Sequence, residues 1–194
     1  MKRRSTIIIL CILLVGVTLL GVFLSNTLRL RLRKALNPLP EEYVSVITEY
    51  SKLYSVPIEI VCGVINTESS FNPSALSHAG AIGMMQITES AFDWLQFKSG
   101  EEHLTEELYD YKTNIKFGVM FLSILYEEFQ NWDTVFAAYN AGRGRVNGWL
   151  SNPEYSQNGV LTNIPIEETA NYVTKVNKSA KEYKELYFSD AETE

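Results

Sequence analysis

The chain has 194 residues, with 17 Lys and Arg against 23 Asp and Glu and a formal net charge of −6. Seven of the basic residues and none of the acidic ones lie in residues 1–40, so the remainder holds 10 basic and 23 acidic residues, a formal charge of −13. Phosphate groups are bound mainly by Lys and Arg, so this composition argues against a nucleic-acid-binding or anionic-lipid-binding domain. A remainder of about 150 residues suits one compact core.

Residues 6–24 form an uncharged, strongly apolar run after a short basic tail, residues 1–5. Nineteen helical residues span roughly 28 Å, close to the thickness of a bilayer's hydrocarbon core. The run is longer than an ordinary signal-peptide core, and no Ala-x-Ala cleavage pattern follows it. We therefore predict a single transmembrane helix, with a cleaved signal peptide as the alternative. The short N-terminal tail favours a cell-membrane protein whose C-terminal domain is extracytoplasmic.

The predicted linker covers residues 25–40 and ends in Asn37-Pro38-Leu39-Pro40, which cannot continue a helix. The predicted domain covers residues 41–188, and residues 189–194 form a short acidic tail. Its only cysteine is Cys62, because the other, Cys11, lies in the apolar run. No disulfide can therefore form within the domain.

Within the domain, the periodicity of apolar residues predicts a series of helices. The first helix ends near residue 55. The others cover about residues 57–68, 88–97, 113–130, 134–141 and 167–188, with loops near 100–110 and 151–163. The segment Ile82–Ile87 is the one place where short extended pieces are expected. The predicted fold is all-α with at most a minor β element, preceded by the transmembrane helix.

Glu68 ends the second of these helices on its apolar face, three residues after Ile65. A carboxyl group placed there is desolvated, which raises its pKa and keeps it protonated near neutral pH. Such a group suits general-acid catalysis on a glycosidic oxygen. The alternative is a helix-terminal Glu that simply reaches water. The following segment, with Gly80 and Gly83 before Met85-Gln86, has the turn-forming composition of an active-site loop.

Two later segments carry polar groups that could join this site. Tyr139 and Asn140 end a helix of small residues, which is also typical of a close-packed core helix. Residues 164–173 place Glu167 and Glu168 in the first turn of the last helix, where the helix dipole favours acids in any case. His103 lies among acidic residues, a pattern that indicates a solvated charge cluster rather than a metal site.

Together, these segments resemble the lytic transglycosylase domain of the soluble (SLT) type, glycoside hydrolase family 23, in the lysozyme-like superfamily. The resemblance covers about residues 43–180, with departures at Met84, Arg143 and Ala170. The matching residues are Glu68-Ser69, Phe71, Asn72-Pro73, Ala75, Ser77, Gly80-Ala81, Gly83, Met85-Gln86, Asn114-Ile115, Gly118, Asn131-Trp132, Ala138 to Gly142, Ile164-Pro165, Glu168-Thr169 and Tyr172-Val173.

The resemblance implies cleavage of the β-1,4 bond between N-acetylmuramic acid and N-acetylglucosamine in peptidoglycan. Glu68 would protonate the leaving oxygen and then, as a base, close a 1,6-anhydro ring, with no metal or organic cofactor. The resemblance also implies supporting roles: Ser69 would stabilise the site, and Gln86 and Asn140 would hydrogen-bond the sugar. Tyr139 would orient Glu68 or the substrate. Glu168 and Tyr172 would line or brace the cleft. The partners implied are peptidoglycan glycan strands, with unidentified proteins of an envelope machine as a further possibility, and no nucleic acid.

Three other readings fit parts of the same pattern. A muramidase of the lysozyme type would use water as the acceptor on the same fold. A non-catalytic peptidoglycan-binding scaffold of an envelope machine would not need the acid, so an intact Glu68 argues against it. A cytosolic signalling domain would require the anchor to be inverted.

Overall fold

The structure, a computed structural model, describes residue 16 and residues 21–189. The chain divides into two units, Met1–Pro38 and Leu39–Glu194. In the first unit, residues 21–36 form helix α1. Most of the predicted span, residues 6–24, lies outside the described residues. Within the described part of the chain, no helix is both long enough and apolar enough to cross a membrane.

The second unit is built almost entirely of helices, which confirms the helical class predicted from the sequence. A 3₁₀ turn lies within the predicted loop at 100–110, and a short hairpin follows α7. The elements are α2 (Glu41–Leu53), α3 (Ile58–Ser69), α4 (Glu89–Ser99), the 3₁₀ helix Thr105–Tyr109, α5 (Tyr111–Phe129), α6 (Trp132–Ala141), α7 (Arg143–Leu150), β1 (Ser156–Gln157), β2 (Val160–Leu161), α8 (Glu167–Tyr183) and the π-helix Lys184–Phe188.

The hairpin of β1 and β2 falls in a segment for which the sequence predicts a loop. Ser156 pairs with Leu161 in antiparallel register. The turn is Asn158-Gly159, both at positive φ (53° and 77°), as a tight two-residue hairpin turn requires. Each strand has only two residues, which is too short to produce an alternating apolar pattern.

Two helix ends show how the boundaries of the helices are set. Thr88 caps α4, with its side chain accepting a hydrogen bond from the Ala91 N–H at 3.3 Å. Gly142 follows the predicted helix 134–141 and ends α6, with a positive φ of 94° that suits glycine. Helix α7 begins directly after it, at Arg143.

The centre of the domain is the contact between α3 and α8. Residues Ile60 to Ile65 of α3 are all buried, and a buried Val or Ile side chain stabilises a fold by about 1.5–3 kcal/mol. Gly63 permits close approach, because a Cβ there would lie 2.8 Å from the backbone nitrogen of Ala180. The last turn of α3 leaves this core and carries Glu68 to its edge.

Candidate active site

Glu68 is partly buried and bonded to α8. The Tyr172 hydroxyl donates a hydrogen bond to Glu68 Oε1 at 2.6 Å. Burial raises the pKa of Glu68 from 4.5 to about 7, while the Tyr172 hydrogen bond acts in the opposite direction by favouring the carboxylate. Both protonation states are therefore accessible near neutral pH.

The charge of Glu68 affects the pKa of two tyrosines, Tyr139 and Tyr172. Burial, and then the charge of Glu68, raise the pKa of both Tyr139 and Tyr172 well above the ordinary value. Both phenols therefore stay protonated and act as donors. Tyr139 donates to the carbonyl oxygen of Met85 at 2.8 Å, so it is Tyr172 that holds the acid directly.

The segment after Glu68 folds back beside the acid, as its turn-rich composition predicts. Ser69 Oγ donates to the Met84 carbonyl at 2.8 Å, which joins the end of α3 to the returning chain. Ile82 and Ile87 exchange backbone hydrogen bonds at 2.9 and 3.0 Å, forming the short extended pair expected there. Gln86 has a positive φ of 51°, and its Nε2 donates to the Gly83 carbonyl at 2.9 Å.

Asn114 of α5 secures this segment, a role that sequence reasoning did not assign. It is fully buried, and its Oδ1 accepts from the Met85 N–H at 2.7 Å. Its Nδ2 donates to the carbonyls of Ile82 and Leu108, both at 2.9 Å. A Cβ at Gly83 would lie 2.2 Å from Asn114 Nδ2. One sequence signal was available: Asn114 stands beside the inward-facing positions of an apolar helix. A buried amide is normally fully hydrogen-bonded, so an Asn at such a position indicates a polar contact in the core.

The end of α6 is tied to the start of α8. Asn140 is exposed, and its Oδ1 accepts a hydrogen bond from Thr169 Oγ1 at 2.8 Å. Thr169 is buried, whereas the neighbouring Glu168 is exposed. Of the predicted site residues, Tyr172 is thus hydrogen-bonded to Glu68, and Ser69 and Tyr139 are hydrogen-bonded to the segment that returns beside it. Glu168 lies at the surface.

A cavity of about 520 Å³ lies beside Tyr139. The rings of Trp94 and Phe121 give it apolar walls, and Tyr139 and Asn140 add polar groups. Apolar surfaces with a few placed polar groups are typical of ligand sites.

No other carboxyl group of the described residues contributes to the pKa shift of Glu68. The shift has two causes, burial and the Tyr172 hydrogen bond. Nor does the described chain hold a cluster of three or more His, Cys, Asp or Glu residues that could bind a metal ion. His103, hydrogen-bonded to Glu101 at 3.1 Å and Glu107 at 3.0 Å, belongs to a surface charge cluster.

The domain is helical and carries one partly buried carboxyl group, Glu68, as a single candidate general acid. Glu68 is not among the cavity-lining residues but, together with burial, its charge raises the pKa of Tyr139, which is among them. The chain belongs to the transglycosylase SLT domain family, which it matches over residues 45–159. The resemblance drawn from the sequence is thereby confirmed.

Curated relatives carry a more specific name. The chain is 30% identical over 185 residues to membrane-bound lytic murein transglycosylase C of Haemophilus influenzae, a match that covers 83% of this chain and 50% of the relative. It is 31% identical over 186 residues to the protein of the same name from Mannheimia succiniciproducens, with the same two coverages. The chain thus spans about half the length of the curated relatives it matches.

Solved structures show the same fold. The 70 kDa soluble lytic transglycosylase of Escherichia coli aligns with a TM-score of 0.67 at 30% identity, over 76% of this chain and 24% of that one. An inactive mutant of the lytic transglycosylase Slt of Pseudomonas aeruginosa aligns with a TM-score of 0.68 at 28% identity, over 75% and 24%. A 70 kDa soluble lytic transglycosylase in complex with bulgecin A aligns with a TM-score of 0.71 at 29% identity, over 81% and 26%.

Proposed function

We propose that this protein is a peptidoglycan lytic transglycosylase that cleaves the β-1,4 bond between N-acetylmuramic acid and N-acetylglucosamine. The observation that carries the proposal is the partly buried Glu68, whose pKa is raised to about 7 by burial. Such a carboxyl group can donate a proton and then accept one at neutral pH. The names of the family and of its relatives point to the same reaction.

In the first step, protonated Glu68 transfers its proton to the glycosidic oxygen. The bond from muramoyl C1 to that oxygen breaks, and N-acetylglucosamine leaves with a free hydroxyl. The carbonyl oxygen of the substrate's own acetamido group bonds to C1 in its place. This assistance from the substrate replaces the second carboxyl group that most glycosidases use.

In the second step, Glu68 acts as a carboxylate. It takes the proton of the muramoyl C6 hydroxyl, and the C6 oxygen attacks C1 as the bond to the acetamido oxygen breaks. The product is a 1,6-anhydromuramoyl end, no water is consumed, and Glu68 is protonated again. The bond from Tyr172 stabilises the carboxylate that forms between the two steps.

The other predicted site residues are proposed to support this sequence. Tyr172 orients Glu68, and Tyr139 supports the Met85 carbonyl beside it. Ser69 joins the end of α3 to the returning segment. Gln86 and Asn140 hydrogen-bond the sugar, and the exposed Glu168 meets substrate at the rim of the cleft.

Digestion of purified peptidoglycan tests the proposal. We expect soluble fragments whose muramoyl ends are 1,6-anhydro and therefore lighter by one water than reducing ends. The Glu68→Gln variant should release at least about 100-fold less. Reducing muramic acid ends would instead identify a hydrolytic muramidase, and digestion that survives in Glu68→Gln would show that another group is the catalyst.

We propose further that residues 6–24 anchor the protein in the cell membrane as a single pass, with residues 41–188 on the extracytoplasmic side. The support is the length of the uncharged run and the membrane-bound naming of the curated relatives. Protease added to intact cells should remove the domain. Protection of the domain until the cells are lysed would place it in the cytoplasm.

A further inference from the structure

The side-chain amide of Asn140 accepts a hydrogen bond from α8. Asn140 lines the cavity beside Tyr139, and its Oδ1 accepts a hydrogen bond from Thr169 Oγ1 at 2.8 Å. An Asn amide has an acceptor on one side and two donors on the other. Because the acceptor is engaged by Thr169, the geometry turns the Nδ2 group away from α8.

Thr169 is well suited to hold the amide in this orientation. It is only 2% exposed, and its β-branched side chain has few allowed rotamers. It lies one helical turn before Tyr172, so both side chains share the inward face of α8. This face of α8 thus donates two hydrogen bonds, one from Tyr172 to Glu68 and one from Thr169 to Asn140 at the cavity.

We propose that Thr169 is a specificity-determining positioning residue that makes Asn140 present a hydrogen-bond donor to the ligand. The ligand group that meets Asn140 is then an acceptor, and in an amino-sugar polymer the strongest neutral acceptor is the acetamido carbonyl oxygen. This inference rests on the proposed function, because it takes the cavity to be a sugar site. It adds two points to that function: Thr169 orients the Asn140 amide, and the ligand group that this amide recognises is a hydrogen-bond acceptor.

Binding can be measured without catalysis in the full chain carrying Glu68→Gln, with N-acetylglucosamine oligomers as the probe. Thr169→Val removes the hydroxyl but keeps the branched shape, and we expect it to weaken binding about 3- to 10-fold, the value of one hydrogen bond. Thr169→Ser keeps the hydroxyl and should bind within about twofold of the parent by the same reasoning. In an Asn140→Ala background, Thr169→Val should cause no further loss.

Asn140→Asp provides a second, exposed variant that does not disturb the core. It keeps the acceptor for Thr169 but replaces the amide donor by another acceptor, so we expect at least about a 10-fold loss of binding. Equal affinity in Asn140→Asp and the parent would overturn the proposal. So would a loss in Thr169→Val that is the same whether or not Asn140 is present.

The two proposals fail in different ways. Peptidoglycan cleavage by the unmodified chain tests the proposed function and does not depend on which atom Asn140 presents. If the unmodified chain cleaves peptidoglycan but the Glu68→Gln parent binds no N-acetylglucosamine oligomer, only the inference about Asn140 and Thr169 is overturned. If Thr169→Val does not fold, as judged by its thermal unfolding, Asn140→Asp decides the question alone.

Discussion

The hydroxyl of Tyr172 lies 2.6 Å from Glu68 Oε1, and the two residues come from α8 and α3, the pair of helices at the centre of the domain. Two opposing effects meet at this carboxyl group. The hydrogen bond favours the carboxylate, whereas burial favours the acid, and burial dominates because the pKa rises to about 7. This balance suits a group that must donate a proton in one step and accept one in the next.

The activity of the wild-type protein should fall as pH rises through about 7, the pKa of Glu68, because the protonated acid is then lost. The measurement is kcat/KM against pH on soluble glycan strands. In Glu68→Gln, activity should drop by a factor on the order of 10²–10⁴, the usual contribution of a general acid. An alkaline limit that stays near pH 7 in a still active Glu68→Gln variant would assign it to another group.

Tyr172→Phe should shift the alkaline limit of the activity profile upward, because it removes the hydrogen bond that favours the carboxylate. The value of kcat should also fall, since the carboxyl group loses its orientation. Tyr139→Phe is the matched control: its hydroxyl is bonded to the Met85 carbonyl, so the alkaline limit should move little. A similar shift in both variants would contradict the assignment of Tyr172.

Glu68→Gln should stabilise the domain at high pH and leave its stability unchanged at low pH. The folded-state pKa of Glu68 is raised from 4.5 to about 7, so ionisation costs stability as pH rises between these values and the full cost is present above 7. The gain above pH 7 should be at most about 3 kcal/mol, at 1.36 kcal/mol per pKa unit. Thermal unfolding of both proteins at pH 4 and pH 8 measures it, with a difference on the order of 5–10 °C expected only at pH 8.

Asn114→Ala should destabilise the domain by about 3 kcal/mol, because it removes three buried hydrogen bonds, to the Met85 N–H and to the carbonyls of Ile82 and Leu108. It should also lower kcat, since Met85 would lose the bond that fixes its peptide beside Tyr139. Asn177→Ala is the matched control: Asn177 makes one hydrogen bond, to Asp133, at an exposed position. Its effect should stay within about 0.5 kcal/mol by chemical denaturation. Equal losses in the two variants would argue against a special role for Asn114.

The helical fold and the position of Glu68 could be predicted because both depend on local periodicity. Glu68 continues the apolar face of α3, and a single helix is enough to show this. The partner of Glu68 could not be chosen from the sequence, since Tyr139 and Tyr172 both stand near the end of a helix in family motifs. Which of them reaches the acid depends on how α3 and α8 cross, a non-local property.

Asn114 was missed for a similar reason. Its bond to Met85 joins residues 29 positions apart, and no local pattern shows which loop a buried amide will meet. The surface position of Glu168 follows from helix geometry: Thr169 and Tyr172 occupy the inward face of α8, which leaves Glu168 outside. The hairpin and the π-helix at the end of α8 are each too short to leave a periodic signal.

The absence of a side chain at Gly63 has a consequence for how this site can vary among related proteins. Gly63 lies five residues before Glu68 on α3, and Ala180 lies eight residues after Tyr172 on α8. A Cβ at Gly63 would lie 2.9 Å from Ala180 Cβ, so a larger residue at either position would push the helices apart and lengthen the bond between acid and phenol. A contact in the core therefore affects the proton affinity of the acid at its edge, because a wider spacing of α3 and α8 would weaken the hydrogen bond that favours the carboxylate.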